Sequence, residues 1–304
     1  MKHIFIINPK AGKKDITNYI KDKLKEYSGK INYDVYVTSK QNDALEFTKN
    51  YLKNNSGMVR FYACGGDGTL NEVVNGAAQN PNASVACYPC GSGNDFVKVF
   101  GSADSFLNLD ALINGEEKFI DLIKVNDRYT VNICNLGFDA HAAKNFIKFK
   151  TKPFLSGHSA YTLALAYTLI SKMKHKAKIT IDNEVIHDGK FLLAAVANGI
   201  CYGGGYYCSP YAKVDDGLMD ISIVQSLSRF KFISMVGKYK DGTYLENKKI
   251  MKYINYRRAK NIVFESEKGI VYCIDGEVFE DKLIKLNINE NAIKFVVPLK
   301  LSWL

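Results

Sequence analysis

Along the first part of the chain, short apolar β-forming runs end in turns rich in glycine, asparagine or proline, and helical spacing resumes after them. Ile4 to Ile7 runs into Asn8-Pro9-Lys10-Ala11-Gly12, after which Ile16, Ile20 and Leu24 recur on one helical face. Tyr33 to Thr38 alternates as a strand, and Ala44 to Leu52 returns to helical spacing. Met58 to Cys64 ends at Gly65-Gly66, Leu70 to Ala78 reads as helix, and Ser84 to Tyr88 is followed by Gly91-Ser92-Gly93. Strands that alternate with helices share a sheet as parallel neighbours joined by right-handed crossovers. The pattern therefore predicts an α/β domain, a parallel sheet with helices on both faces.

From about Asp121 the pattern changes. β-Rich runs follow at Tyr129 to Asn135, Lys178 to Ile186, Phe191 to Ala197, Met219 to Val224, Asn261 to Glu265, Ile270 to Ile274, Leu283 to Ile288 and Ala292 to Val297. Turn signals at Asp182-Asn183, Asp216-Gly217 and Asn289 to Asn291 separate them, which predicts a mostly antiparallel β-sandwich. Two helices, Ala160 to Met173 and roughly Ser228 to Tyr239, interrupt it. A chain of 304 residues is long enough for two domains, and we divide it into residues 1–122 and 123–304, with the last strand able to return to the first domain.

Lys and Arg number 41 against 31 Asp and Glu, a net charge of +10 that suits a nucleotide, a nucleic acid or an acidic lipid surface. No uninterrupted apolar run of about 18 residues occurs. The chain also opens directly on a strand-like run instead of an export leader, so the expected location is the cytoplasm. Seven scattered cysteines do not suggest a disulfide framework and fit a reducing compartment.

The segment Gly65-Gly66-Asp67-Gly68-Thr69-Leu70-Asn71-Glu72 lies where a parallel strand meets a helix. Glycines let backbone N–H groups approach a ligand, and the helix N-terminus adds partial positive charge, which together make a phosphate cradle. A capping box from Thr69 to Glu72 is the plainer reading, but it gives no reason for Gly65, Gly66, Asp67 and Gly68. The next strand ends in Gly91-Ser92-Gly93-Asn94-Asp95-Phe96, and neighbouring parallel strands would set this turn beside the first. Two glycine loops, each with an aspartate, on the carboxyl edge of one sheet suit a Mg²⁺-nucleotide. The P-loop string, the third glycine of the dinucleotide fingerprint and the kinase His-Arg-Asp and Asp-Phe-Gly elements are absent.

These residues, with Asp215-Asp216-Gly217-Leu218 and Ile274-Asp275-Gly276-Glu277, stand in the order and spacing of the bacterial soluble diacylglycerol kinase family, which is similar to the catalytic domains of eukaryotic diacylglycerol, sphingosine and ceramide kinases. The resemblance spans nearly the whole chain. It implies an active site in the cleft between the domains and an ATP- and Mg²⁺-dependent transfer to a lipid hydroxyl. It further implies that Asn8, Gly66, Asp67, Gly68, Thr69, Gly91, Ser92, Gly93 and Asn94 contact ATP, and that Asp67, Asp95 and Asp121 hold the catalytic Mg²⁺ through water. Asp275 matches the family's general base, supported by Glu277, and Asp216 with Lys213 and Leu218 matches a structural divalent-cation site.

The chemistry agrees with that assignment. Phosphoryl transfer needs charge neutralisation and in-line placement more than covalent participation, and an aspartate of ordinary pKa near 3.9 can take the hydroxyl proton as attack proceeds. Without the resemblance, Asp275-Gly276 reads as a hairpin turn, and Asp216-Gly217 also reads as a type I′ hairpin.

Between Ala140 and Ile181 lie eight lysines, from Lys144 to Lys178, with no acidic residue, alongside Phe146, Phe149, Phe154 and an apolar helix. Such a stretch is expected to dock reversibly on an anionic membrane, a solvated face beside a core helix being the alternative. No nucleic-acid module accompanies the charge. Cys87-Tyr88-Pro89-Cys90 lacks the second pair a zinc site requires. Gly203-Gly204-Gly205 reads as a mobile loop or a plain connection, and the open edges of a sandwich allow a homodimer. Two rival readings remain: an NAD kinase, which shares the Gly-Gly-Asp-Gly-Thr loop, and a non-catalytic lipid- or nucleotide-binding regulator.

Overall fold

The computed structural model describes residues 1–151 and 157–299, and of Gly157 and His158 the backbone alone. Lys152 and Phe154 of the basic stretch lie outside the described residues. The chain separates into two compact units. One comprises Met1–Leu122, Val214–Gly217 and the chain from Asn289 onward; the other comprises Ile123–Lys213 and Leu218–Ile288.

The first unit runs β1 (Lys2–Ile7), α1 (Thr17–Lys25), β2 (Asn32–Val37), α2 (Asp43–Asn54), β3 (Val59–Gly65), α3 (Asp67–Ala77) and β4 (Ala83–Pro89). The strands pair in parallel in the order β2-β1-β3-β4, with Ile6 opposite Tyr36 and Ala63, and Cys64 opposite Tyr88. Every residue of β3 and β4 is buried, as expected for parallel strands covered on both faces. Because β1, β3 and β4 point the same way in register, the turns that follow them all emerge at one edge. The helix α1 buries Ile20 and Leu24. After β4 come two short 3₁₀ turns, α4 (Leu109–Ile113) and β5 (Glu116–Val125).

The second unit holds β6 (Arg128–Thr130), β7 (Ile133–Gly137), α5 (Phe138–Phe149), α6 (Gly157–Ser171), β8 (His175–Ile181), β9 (Glu184–Ala197) and β10 (Met219–Gln225). It continues with α7 (Arg229–Lys240), α8 (Lys248–Met251), β11 (Ile254–Ala259), β12 (Asn261–Ile274) and the greater part of β13 (Glu277–Val297). Pairing within it is antiparallel. The long strands β9 and β12 share β8 along their outer halves and β7 along the others, and a register break between Glu265 and Ile270 bends β12. Alternate residues of β9 enter different cores: Ala194 and Val196 join Ile179, Phe264 and Leu286, whereas Ala195 and Ala197 join Met235 and Tyr239 of α7.

Several expectations need correction. The run Tyr129 to Asn135 is two strands with a bend at 131–132. The pairs of runs at 261–274 and 283–297 are the single strands β12 and β13. The sandwich also carries α5, which the sequence hid because its buried face is Phe138, Ala140 and Ala142, small residues that give a weak apolar period. Asp216-Gly217 is not a hairpin, since no strand precedes it. Gly203 to Gly205 form a tight turn closed by the Tyr202–Tyr206 bridge. Among the described residues, no helix is long and apolar enough to cross a membrane.

Candidate functional site

In the first unit, three turns converge through contacts that only glycine permits. A Cβ on Gly91 would stand 2.4 Å from Gly66 Cα, so the two loops touch backbone to backbone. A Cβ on Gly12 would stand 2.1 Å from Cys90 O, which seats the turn after β1 on the turn after β4. Asn8 Nδ2 donates to Thr69 Oγ1 at 3.2 Å, and Asn94 Nδ2 donates to the carbonyls of Pro89 and Gly91. The structure thus brings together Asn8, Gly66, Asp67, Thr69, Gly91, Gly93 and Asn94, with Gly68 and Ser92 exposed in the same loops.

The capping-box reading fails here. The N-cap of α3 is the extended Gly66. Glu72 accepts instead from the N–H groups of Asn42 and Ala44 at the start of α2, and Thr69 accepts from Asn8. The Gly65–Thr69 segment is consequently not explained by helix capping.

Asp67 Oδ1 accepts from the N–H groups of Asp95 at 2.7 Å and Phe96 at 3.4 Å, which locks the second loop onto the first. Its Oδ2 and that of Asp95 lie 2.8 and 3.5 Å from where a Cβ on Gly93 would stand, so the two carboxylates flank one bare backbone position. Lys98 Nζ donates to Asp95 Oδ1 at 2.5 Å. Lys98 escaped the sequence reading; its only signal was the three-residue spacing from Asp95.

Asp121 has different company. It is buried, and its oxygens accept from the N–H groups of Gly217 at 2.7 Å and Asn291 at 2.8 Å. Burial raises its carboxyl above the usual range against those two N–H groups, and Glu290 and Asp215 push it further up. Among the described residues no three His, Cys, Asp or Glu side chains form a ready metal cage. Magnesium does not demand one, since it commonly binds one or two carboxylates together with substrate phosphates. The Asp67–Asp95 pair beside bare glycine backbone fits that pattern. Of the remaining cation-site residues, Asp216 belongs to the first unit and Lys213 and Leu218 to the second.

In the second unit, Asp275 occupies the two-residue turn between β12 and β13 at φ 45°, followed by Gly276 at φ 98°. That backbone is the hairpin the Asp-Gly pair predicts. The side chain adds more: its oxygens accept from Thr130 Oγ1 at 2.6 Å and from the N–H groups of Val131 and Ile133, each at 2.9 Å, with Asn132 N–H at 3.3 Å. These bonds are why the predicted strand breaks at 131–132. Glu277 pairs with Arg128 at 3.0 Å, and Arg128 also lies 4.8 Å from the Phe279 ring centroid. Neither Thr130 nor Arg128 carries a sequence signal that points to Asp275.

Residues 2–125 match the diacylglycerol kinase catalytic domain, and residues 132–297 match the YegS C-terminal NAD kinase beta sandwich-like domain. The chain belongs to the bacterial diacylglycerol kinase and lipid kinase family. A Shewanella frigidimarina protein named "Probable lipid kinase YegS-like" is 29% identical over 270 residues, covering 87% of this chain and 84% of its own. A diacylglycerol kinase of Staphylococcus saprophyticus is 28% identical over 279 residues, covering 90% and 87%. The structure of a diacylglycerol kinase from Bacillus anthracis superposes with a TM-score of 0.72 at 21% identity, covering 99% of this chain and 98% of that one. An Archaeoglobus fulgidus NAD kinase in complex with ATP gives 0.50 at 13% identity, covering 99% and 95%. These two likenesses show the fold: an α/β domain followed by a β-sandwich-like domain.

In this lipid kinase the setting of the cysteine pair disfavours the thiolate. Burial holds the Cys87 thiol well above its ordinary value and lifts Cys90 to about 11, and Cys64, Cys87 and Cys90 are all free thiols.

Proposed function

We propose that this lipid kinase transfers the γ-phosphoryl group of ATP to the free hydroxyl of diacylglycerol, giving phosphatidic acid and ADP. The observation that carries the nucleotide half is the backbone contact between Gly66 and Gly91, which sets two glycine loops, the N-terminus of α3 and the Asp67–Asp95 pair in one cluster. Asn8, Gly66, Gly68, Thr69 and the Gly91–Asn94 loop take the triphosphate. Asp67, Asp95 and Asp121 would hold Mg²⁺ through water, and the ion would supply charge neutralisation to the phosphoryl oxygens. Asp275 accepts the hydroxyl proton as the new O–P bond forms and the bond to ADP breaks, with Glu277 as its acidic neighbour. Asp216, with the backbone oxygens of Lys213 and Leu218, takes a structural divalent cation.

The match to the diacylglycerol kinase catalytic domain favours a lipid acceptor over NAD. A panel of hydroxyl lipids in mixed micelles, with NAD as a further acceptor, each incubated with labelled ATP and Mg²⁺ and the product identified, tests the assignment. Label in phosphatidic acid is expected. Label transferred only to NAD would overturn the lipid acceptor, and label in another phospholipid would replace the substrate while keeping the chemistry.

A further inference from the structure

The helix α6, Gly157–Ser171, contains no Asp, Glu, Lys or Arg, an unusual composition for a helix with a solvent-facing side. Ala160, Ala164 and Thr168 are fully buried, and on the other side Leu163, Tyr167 and Ile170 are 43%, 51% and 71% exposed. Those three positions follow the i, i+4, i+7 spacing of one helical stripe, so the stripe turned to solvent is apolar. The next helix extends it. In α7, Phe230 is 88% exposed and Ile233 55%. The two helices are tied end to end, because Arg229, the first residue of α7, donates to the carbonyls of Leu169 at 2.8 Å and Ile170 at 2.6 Å. Ile170 and Phe230 are therefore neighbours in one patch. Contiguous exposed apolar surface of this kind marks an interaction site more often than chance.

The charge around the patch selects the partner. Neither α6 nor α7 contains an acidic residue. Lys172 and Lys174 follow directly on Ile170, and the ring of Phe149 packs edge-on against Tyr167 at 5.7 Å, which places the exposed Lys148 and Lys150 beside the same stripe. A second copy of this chain would bring lysine against lysine. A nucleic acid would leave the aliphatic and aromatic side chains in water. An anionic bilayer satisfies both parts, with headgroup phosphates for the lysines and the acyl boundary for the apolar side chains.

We propose that the α6–α7 ridge, centred on Ile170 and Phe230, is the surface by which this protein docks on an anionic lipid bilayer. The docking is reversible, since a shallow apolar insertion with a few cations falls far short of a spanning anchor. It is independent of phosphoryl transfer and requires neither ATP nor turnover.

Flotation of the full chain with phosphatidylcholine vesicles, with and without phosphatidylglycerol, tests this at low and moderate salt. The wild type is expected to float with the anionic vesicles, and Ile170→Ser with Phe230→Ser to weaken partitioning about tenfold, since each side chain would leave its apolar contact. Both positions are exposed, so an unchanged Tm is expected for the double variant. Lys172→Gln with Lys174→Gln is expected to weaken binding at low salt and flatten its salt dependence. Undiminished flotation of the serine double variant would overturn the proposal, as would equal recovery with neutral and anionic vesicles. A wild-type dimer in sedimentation equilibrium that the serine double variant loses would assign the ridge to a second copy instead.

Discussion

The two units fix their candidate functional turns by opposite means. In the first, the loops close because atoms are missing: Gly66 meets Gly91, and Gly12 sits under the Cys90 carbonyl, at distances no Cβ could share. In the second, the turn holds because atoms are present. Asp275 gathers the Thr130 hydroxyl and three successive backbone N–H groups, while a Cβ on Gly276 would meet nothing within 4 Å. Steric closure breaks when a methyl is added, whereas a hydrogen-bonded clamp breaks when an oxygen is removed. The two units should therefore answer opposite kinds of substitution.

The largest effect is expected from Asp275→Ala. As the proposed base, its loss should lower turnover by roughly 10²- to 10⁴-fold while ATP still binds. As the clamp on residues 131–133, its loss should also strand backbone donors and cost about 1–3 kcal/mol for each one left without a partner. Asp275→Asn tells the two roles apart by degree, because the amide oxygen still accepts from Thr130 and Ile133 while the amide nitrogen gives up the bond from the Val131 N–H, and the side chain no longer takes a proton. A smaller stability loss than in Asp275→Ala, with turnover as depressed, is the expected outcome for Asp275→Asn, read by Tm and kcat together. Wild-type turnover in that variant would leave Asp275 as a clamp alone.

Next is Gly91→Ala. The added methyl meets backbone on the facing loop, where no side chain can rotate away, so the loops must part. Overpacking of this kind costs about 1–3 kcal/mol, which corresponds to a drop in ATP affinity of roughly ten- to hundredfold if the loops form the nucleotide site. Calorimetric titration with ATP checks it, and unchanged affinity would remove the Gly66–Gly91 contact from the nucleotide site.

The same contrast explains what could be read from the sequence. The glycine turns of the first unit were legible because a missing side chain at the end of a β-run is itself the signal, and Asp67 and Asp95 came with them. The partners of Asp275 were illegible: Thr130 to Ile133 lie more than a hundred residues away and carry ordinary strand residues. The partners of Glu72 were illegible for a related reason, since local spacing offers only a cap on its own helix whereas the fold presents it to the N-terminus of α2. Asp121 was assigned by resemblance to the magnesium cluster, and nothing in its neighbourhood along the chain announces Gly217 and Asn291 as its donors. Spacing reports local partners, and long-range hydrogen bonds to a side chain leave no periodicity.

A smaller effect depends on pH and belongs to the second unit. Asp139, in the first turn of α5, is raised to about 6 by burial, against the opposing bond from the Tyr202 hydroxyl. Because the folded value lies above the unfolded one of about 3.9, its favourable contribution is complete only below that lower value. It is lost as pH rises through 6, so at pH 7.5 the ionised, half-buried carboxylate weakens the fold. About two pK units correspond to roughly 2–3 kcal/mol. Asp139→Asn is therefore expected to stabilise the protein at pH 7.5 and to do little at pH 4, as read by urea unfolding at both values. A stabilisation that does not change with pH would show that folding leaves the pKa of Asp139 unshifted.

The smallest expected effect tests whether every bare position in the first unit is bare for the same reason. A Cβ on Gly68 would meet nothing within 4 Å, and the residue lies exposed in the first turn of α3. Gly68→Ala should therefore raise stability by about 0.5–1 kcal/mol, since alanine is the better helix former. This is opposite in sign to Gly91→Ala. If Gly68 faces the triphosphate as proposed, ATP affinity should fall a fewfold even as Tm rises, because the methyl would occupy space kept for the ligand and not for the fold. Tm and ATP titration on the same variant separate the two: a higher Tm with unchanged affinity would remove Gly68 from the nucleotide contacts and leave Gly66 and Gly91 as the glycines the loop geometry requires.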